Sequence, residues 1–260
     1  MWEWYTSLYS NAMANNNFYV GLFFCLLYLS ATFGFFLGIF FFINAFLADA
    51  KKKRKGRKFE NKAKRKLEDK FHVTVYQGLL FPKGFDDTTE LDLAFVSSKG
   101  LFCFECKFRD GYSFTCRPLQ PTWFAYYSGD NTETMNNPLF QNKLHISALL
   151  ERLPKDYLSQ DYVPIFNIAV LNTSFEVDYA GAKSSSSFNS YWSTLTENGE
   201  AIVVPKMSGL NKFYKEYNTL PDVLSEEDIA FLNNFLQDYV ATKKELKAHA
   251  ERRYLEGTED

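Results

Sequence analysis
From Phe18 to Ala48 the chain carries no charged side chain, and only Ser30, Thr32 and Asn44 interrupt it with clear polarity. About 20 apolar residues span a bilayer as a helix, so this run predicts a tilted transmembrane helix with interfacial ends. A buried helix of a water-soluble domain is rarely apolar all round over such a length. Gly34-x-x-x-Gly38 offers a possible helix-pairing face and hence a dimer through the span.

The competing reading is a cleaved signal peptide, because Ala48-Asp49-Ala50 has the small-x-small form of a cleavage site. Two features favour an uncleaved anchor. The run is about twice a signal core in length. Its positive charge also follows it, as Lys51, Lys52, Lys53, Arg54 and Lys55, with Glu3 the one charge before it. Basic residues beside a span stay on the cytoplasmic side, which predicts a single-pass inner-membrane protein with its amino terminus outside.

Charge divides the rest of the chain. Between Lys51 and Lys66 there are eleven Lys or Arg and one acid, Glu60, while the whole chain has a net charge of -2. The remainder is therefore acidic, which argues against broad DNA affinity away from the basic block. The block itself suits anionic headgroups, and nucleic-acid phosphate is its alternative partner. The expected organisation is an N-terminal segment 1–17, a span 18–48, a basic segment 49–58, a domain over 56–240 and a charged tail 241–260.

Within the domain, Thr89 to Phe108 (TELDLAFVSSKGLFCFECKF) reads as two strands joined by a tight turn at Ser98-Lys99-Gly100. Leu91, Leu93 and Phe95 are expected on one face and Asp92, Ala94 and Val96 on the other. In the second strand Leu101, Cys103, Glu105 and Lys107 share a face opposite Phe102, Phe104, Cys106 and Phe108. An apolar sheet has little reason to carry Asp92, Glu105 and Lys107 unless they meet one another or a metal ion. Cys103 and Cys106 fall on opposite faces and cannot chelate one ion. With Cys25 and Cys116 they read as small core residues.

Elsewhere, Gly56 to Asp69 predicts a helix with Phe59, Ala63 and Leu67 on one face, Glu60 beside that stripe, and Phe71 to Phe81 a strand. A short strand is expected over Tyr112 to Cys116. Asn137-Pro138 starts a helix on which Gln141 and His145 share a face. Val163 to Asn172 reads as a buried strand, Thr173 to Glu200 as a loop or partial lid, and Ala201 to Pro205 as a last strand. Ser225 caps a further helix, and Lys243 to Leu255 reads as a frayed or protruding one.

An Asp followed a dozen residues later by Glu-x-Lys on the next strand resembles the PD-(D/E)xK nuclease superfamily. The flanking motifs narrow the likeness. Gly56-x-x-x-Glu60, Thr89-Glu-Leu-Asp92, Lys99 to Lys107, Trp123, and Asn137-Pro-Leu-Phe-Gln141 with His145 stand in the order found in the NERD (nuclease-related) domain, over about Gly56 to Leu236. Phe59 departs from that family's pattern, replacing a glycine.

The resemblance implies an α/β restriction-endonuclease-like core of order αβββαβ, a mixed sheet flanked by helices. It also implies metal-assisted phosphodiester hydrolysis. Asp92 and Glu105 would hold Mg²⁺ or Mn²⁺, with the backbone carbonyl of Cys106 as a third ligand. Lys107 would orient water or phosphate, Glu60 would be a further or outer ligand, and Gln141 would bond Lys107 or substrate. His145 and Lys58 would lie near substrate or behind the ligands. The expected partner is nucleic acid, DNA before RNA. A binding or membrane-scaffold module that keeps the fold without catalysis is the alternative.

Overall fold
The computed structural model describes residues 3–4, 6–7, 10–11, 18–84, 87–109, 113–116, 120–126, 132–154, 163–179, 182–188, 192–196 and 199–255. The chain divides into two units, Met1–Arg54 and Lys55–Asp260. Helix α1 is assigned over Phe18–Phe71 and contributes to both.

In the first unit, α1 is long and apolar enough to cross a membrane, with a mean hydropathy of 2.2 in its most apolar window. Its large side chains, among them Phe33, Phe36, Phe42 and Phe46, are exposed. Open space lies beside Gly34 and Gly38. Cys25 is half-exposed on this helix, so it is not the core residue expected of it. A helix with an apolar surface all round has no single core-facing side. Cys116 has no described side chain.

In the second unit, Phe59, Ala63, Leu67 and Phe71 form the buried stripe of α1. The helix therefore runs past the expected start of the first strand. Phe71 continues the spacing of four, and its ring lies 5.3 Å from Phe95 and 4.8 Å from Tyr217. His72 ends the helix in a left-handed conformation, φ 54°.

Three antiparallel strands follow: β1 (Tyr76–Lys83), β2 (Asp87–Ser97) and β3 (Gly100–Lys107). Gly100 sits at φ 137°, and a Cβ there would lie 2.4 Å from the carbonyl oxygen of Pro164. That close approach lets Leu101 N–H donate to the same oxygen at 2.9 Å. The chain then builds β4 (Ser113–Cys116), β5 (Thr122–Tyr126) and β6 (Thr132–Asn136), helix α2 (Pro138–Leu150) and strand β7 (Ile165–Leu171).

Strands β8 (Ser174–Tyr179), β9 (Ala182–Phe188) and β10 (Trp192–Thr196) occupy the stretch expected to be a loop, and β11 (Gly199–Pro205) is the last strand expected over Ala201–Pro205. Weak periodicity conceals them: β8 pairs in parallel with the remote β4, while β9 and β10 pair antiparallel with their neighbours β8 and β11, and β11 lies parallel to β7. Helices α3 (Lys206–Tyr217), α4 (Glu226–Asp238) and α5 (Lys243–Leu255) complete the chain. The fold is mixed α/β. A six-stranded sheet of order β1-β2-β3-β7-β11-β10 is mixed in direction, and a five-stranded sheet has order β6-β5-β4-β8-β9.

The central sheet buries both faces. Phe102, Phe104 and Cys106 pack with the second half of α1 and with Leu210 and Phe213 of α3. Leu101 and Cys103 pack with Ile146 and Leu149 of α2 and Leu232 and Leu236 of α4. The alternation expected of β3 therefore holds, and the two cysteines point apart. Trp123 is fully buried in a third cluster with Leu139 and Leu171. Helix α5 is not a free end. His249 is buried, with Nδ1 2.8 Å from Thr88 Oγ1.

Candidate functional site
The site begins where β1 and β2 fail to pair. Their register joins Gln77 to Leu93 and Leu79 to Leu91, and passes over Gly78 opposite Asp92. Gly78 has φ 65°, a conformation costly for other residues. Both strands turn over at this point. Leu93 and Phe95 enter the α1-side core, whereas Leu91 joins Ala94 and Val96 in the α2-side core. Strict alternation over Leu91, Leu93 and Phe95 is thus broken, as such local irregularities of a ladder do.

Asp92 stands at the break. Its Oδ2 accepts the backbone N–H of Cys106 at 2.7 Å, which ties β2 to β3 by a side chain beyond the last regular pair, Leu93–Phe104. The N–H and C=O of one strand residue point to the same edge, so the Cys106 carbonyl faces β2 as well.

Glu105 projects from β3 toward α2. It is 3% exposed, and two cations or potential cations flank it. Lys107 Nζ lies 3.2 Å from Oε1, and His145 Nε2 lies 3.5 Å from Oε2. Oε2 has no hydrogen bond within the usual distance and angle. Burial opposes ionisation of Glu105, but Lys107 and then His145 outweigh it and hold its carboxyl below the usual range.

Two further carboxylates feel Glu105. Burial pushes Asp92 well up, with Glu105, Glu60 and Glu90 adding repulsion and the Cys106 amide offsetting part of it. Burial also raises Glu60, followed by repulsion from Glu105, while Gln77, Arg57 and Lys107 pull the other way. Glu60 of α1, Asp92 of β2 and Glu105 of β3 therefore share one electrostatic field. Among the described residues, no group of three or more His, Cys, Asp or Glu side chains is already arranged to hold a metal ion. The donors best suited to one are the oxygens of Asp92 and Glu105.

Helix α2 carries the other side of the site. Asn137 caps it, accepting Leu139 N–H at 2.9 Å, and Pro138 occupies its first turn. Asn142, buried one turn before His145, donates from Nδ2 to the Cys103 carbonyl and to Asn167 Oδ1, each at 2.9 Å. Asn167 of β7 donates in turn to the Leu139 carbonyl at 2.8 Å. These bonds set α2 against β3 and β7, and so aim His145 at Glu105. Its Nδ1 is paired with the Thr89 hydroxyl.

Thr89 stands in the sequence as the first residue of the Thr89-Glu-Leu-Asp92 motif without a role of its own, and no motif there marks Asn142 or Asn167 as part of a site. For Asn167 the hint is polarity in apolar company, an Asn within the strand IFNIAVL. His145 stands directly against the Glu105 carboxylate. Gln141 does not bond Lys107; its Oε1 is buried without a partner. Lys58 is exposed on α1 and is not brought to the carboxylates. Lys51, Lys52, Lys53 and Arg54 belong to the first unit, and Lys55 opens the second.

No curated protein and no solved structure matches the chain. A family model does: that of NERD, the nuclease-related domain, over residues 55–172. The matched stretch holds Glu60, Asp92, Glu105, Lys107, Gln141 and His145, and ends one residue after β7. This part of the chain is a NERD domain, a nuclease-related domain behind a helix long and apolar enough to cross a membrane.

Proposed function
We propose that the domain is a metal-dependent nuclease of the PD-(D/E)xK type that hydrolyses phosphodiester bonds in DNA at the cytoplasmic face of the membrane. The observation that carries this reading is Glu105: a buried, ionised carboxylate beside Lys107, with one oxygen left without a hydrogen bond, across from Asp92. Three mutually repelling carboxylates favour a bound cation, and an all-oxygen donor set suits Mg²⁺ or Mn²⁺. Asp92 and Glu105 would hold the ion, with the Cys106 carbonyl beside them and Glu60 as a further or outer ligand. Such an ion lowers the pKa of bound water and neutralises charge on phosphate oxygens.

The chain's own residues supply the rest. Water adds to phosphorus while the bond to the leaving ester oxygen breaks, and negative charge builds on the phosphoryl oxygens. Lys107, held by Glu105, places an ammonium where that charge develops. His145, held by Thr89, keeps the Glu105 carboxylate in orientation. Upstream, the apolar half of α1 would anchor the chain with its amino terminus outside. Lys51 to Lys55 would lie on anionic headgroups.

A second reading, nucleic-acid binding without turnover, has one observation in its favour: the described residues hold no ready-made metal cluster. Nicking of supercoiled plasmid by the full chain in detergent, with Mn²⁺, Mg²⁺ or EDTA, separates the two. Cleavage that needs metal and is lost in Glu105→Gln is the expected result. DNA binding without cleavage under either ion would leave the second reading.

A further inference from the structure
Past the end of β3 the chain carries another cation, Arg109. The ring of Phe108 lies 5.9 Å from that of Phe59, on the α1 side of the sheet, and Arg109 follows two residues after Lys107, just past the end of the strand. Two hydrogen bonds hold its backbone. Arg109 N–H donates to Asn172 Oδ1 at 3.0 Å, and Asn172 Nδ2 donates to the Arg109 carbonyl at 2.8 Å. The last pair of β3 with β7 is Lys107–Leu171, so this bracket closes the two parallel strands just beyond the site.

The guanidinium is far less satisfied than the backbone. Among the described residues its one hydrogen bond runs from Nη1 to the carbonyl of Phe108, at 3.3 Å, and its Nε is buried without a partner. Among the described residues no carboxylate pairs with it. A half-buried guanidinium has five donors and no acceptor, and leaving them unused is costly. The ligand that relieves this cost is an anion with several oxygens, met by the planar fork in two parallel bonds. Lys107, paired with Glu105 and directed to the reacting phosphate, leaves a neighbouring phosphate to another cation.

We infer that Arg109 binds a backbone phosphate of the nucleic-acid substrate beside the one that reacts, with Asn172 as its positioning residue. The identity of the anion rests on the nuclease reading of the same site. The role differs from that of Lys107: it holds the strand in place and makes no bond to the reacting atoms.

The test is binding of a short labelled DNA duplex to the full chain in detergent, in EDTA, over a range of salt, with cleavage in Mn²⁺ followed separately. Arg109→Ala is expected to weaken binding about tenfold or more. It should also reduce the slope of log affinity against log salt by about 0.9, the loss of one phosphate contact. Arg109→Lys should restore the slope but not the full affinity, since the fork is gone. Asn172→Ala should weaken binding while keeping most of the slope.

A purely structural role would move the unfolding temperature and leave the slope alone, and an unchanged slope in Arg109→Ala overturns the inference. If that variant does not fold, the affinity of Arg109→Lys relative to the unaltered chain decides, and equal affinity overturns it. No DNA affinity in the unaltered chain also overturns it. Binding with the expected slope change but no metal-dependent cleavage keeps the phosphate site and removes the nuclease reading. Cleavage with an unchanged slope does the reverse.

Discussion
His145 Nε2 lies 3.5 Å from Glu105 Oε2, with the opposite ring nitrogen bonded to Thr89. One imidazole thus links α2 to two neighbouring strands of the sheet. Removing it as His145→Ala leaves Oε2 of a buried carboxylate with no neighbour to orient it. The expected result is a loss of about 10- to 100-fold in metal affinity or cleavage rate, the usual range for residues behind a ligand. Thr89→Val should give a smaller loss in the same direction. Metal titration followed by cleavage rate at saturating metal checks both.

Glu105 and Lys107 form a buried ion pair, 3.2 Å apart. Each single truncation leaves an uncompensated buried charge, at a cost of about 3–5 kcal/mol. Replacing both as Glu105→Gln and Lys107→Met should cost less than the sum of the two single changes. Denaturant unfolding of the four chains in a double-mutant cycle measures the difference.

Asp92 points the other way. Its carboxyl is pushed up by burial and then by Glu105, Glu60 and Glu90. Between the unfolded and the folded pKa the native state therefore binds more proton at Asp92 than the unfolded chain does. The group carries no penalty below its unfolded pKa and destabilises the metal-free protein progressively as pH rises through the folded value. Asp92→Asn should raise the unfolding temperature in EDTA at neutral pH by a few degrees while abolishing cleavage, a trade of stability against function. For Glu105 the sign is reversed. Its lowered pKa contributes stability above the unfolded value and loses it as pH falls through the folded one. Thermal unfolding from pH 4 to 8, with and without Asp92→Asn, reads both slopes.

Gly100 opens β3 just after the turn at Ser98 and Lys99. A Cβ there meets the Pro164 carbonyl at 2.4 Å, and φ is 137°. Gly100→Ala should destabilise the domain by about 1–3 kcal/mol or more, from backbone strain alone. It should also shift the β3–β7 register at the end opposite Glu105. A lowered denaturation midpoint, with cleavage retained by the folded fraction, is the expected outcome.

Features set by neighbours in sequence were legible without coordinates. Period-two alternation put Glu105 and Lys107 on one face of β3 and Cys103 and Cys106 on opposite faces, because a strand has no other way to arrange them. Asn137-Pro138 foretold the start of α2 through its own capping chemistry, and Ser225 that of α4. The spacing of Phe59, Ala63 and Leu67 foretold the buried face of α1. Alternation failed at Leu91, where the break depends on a glycine in another strand.

What needed the folded chain was every partner chosen at a distance. Strand β8 lies in a stretch without clear hydrophobic alternation and becomes a strand by pairing with the distant β4, with β9 added on its other edge. Asp92 reaches Cys106 because Gly78 opens the ladder beside it. Asn142 and Asn167 align α2, and Asn172 holds Arg109. A polar side chain in a sequence shows only that it must be satisfied. Which backbone or carboxylate satisfies it depends on the packing of elements far apart in the chain, and that packing sets the geometry of the site.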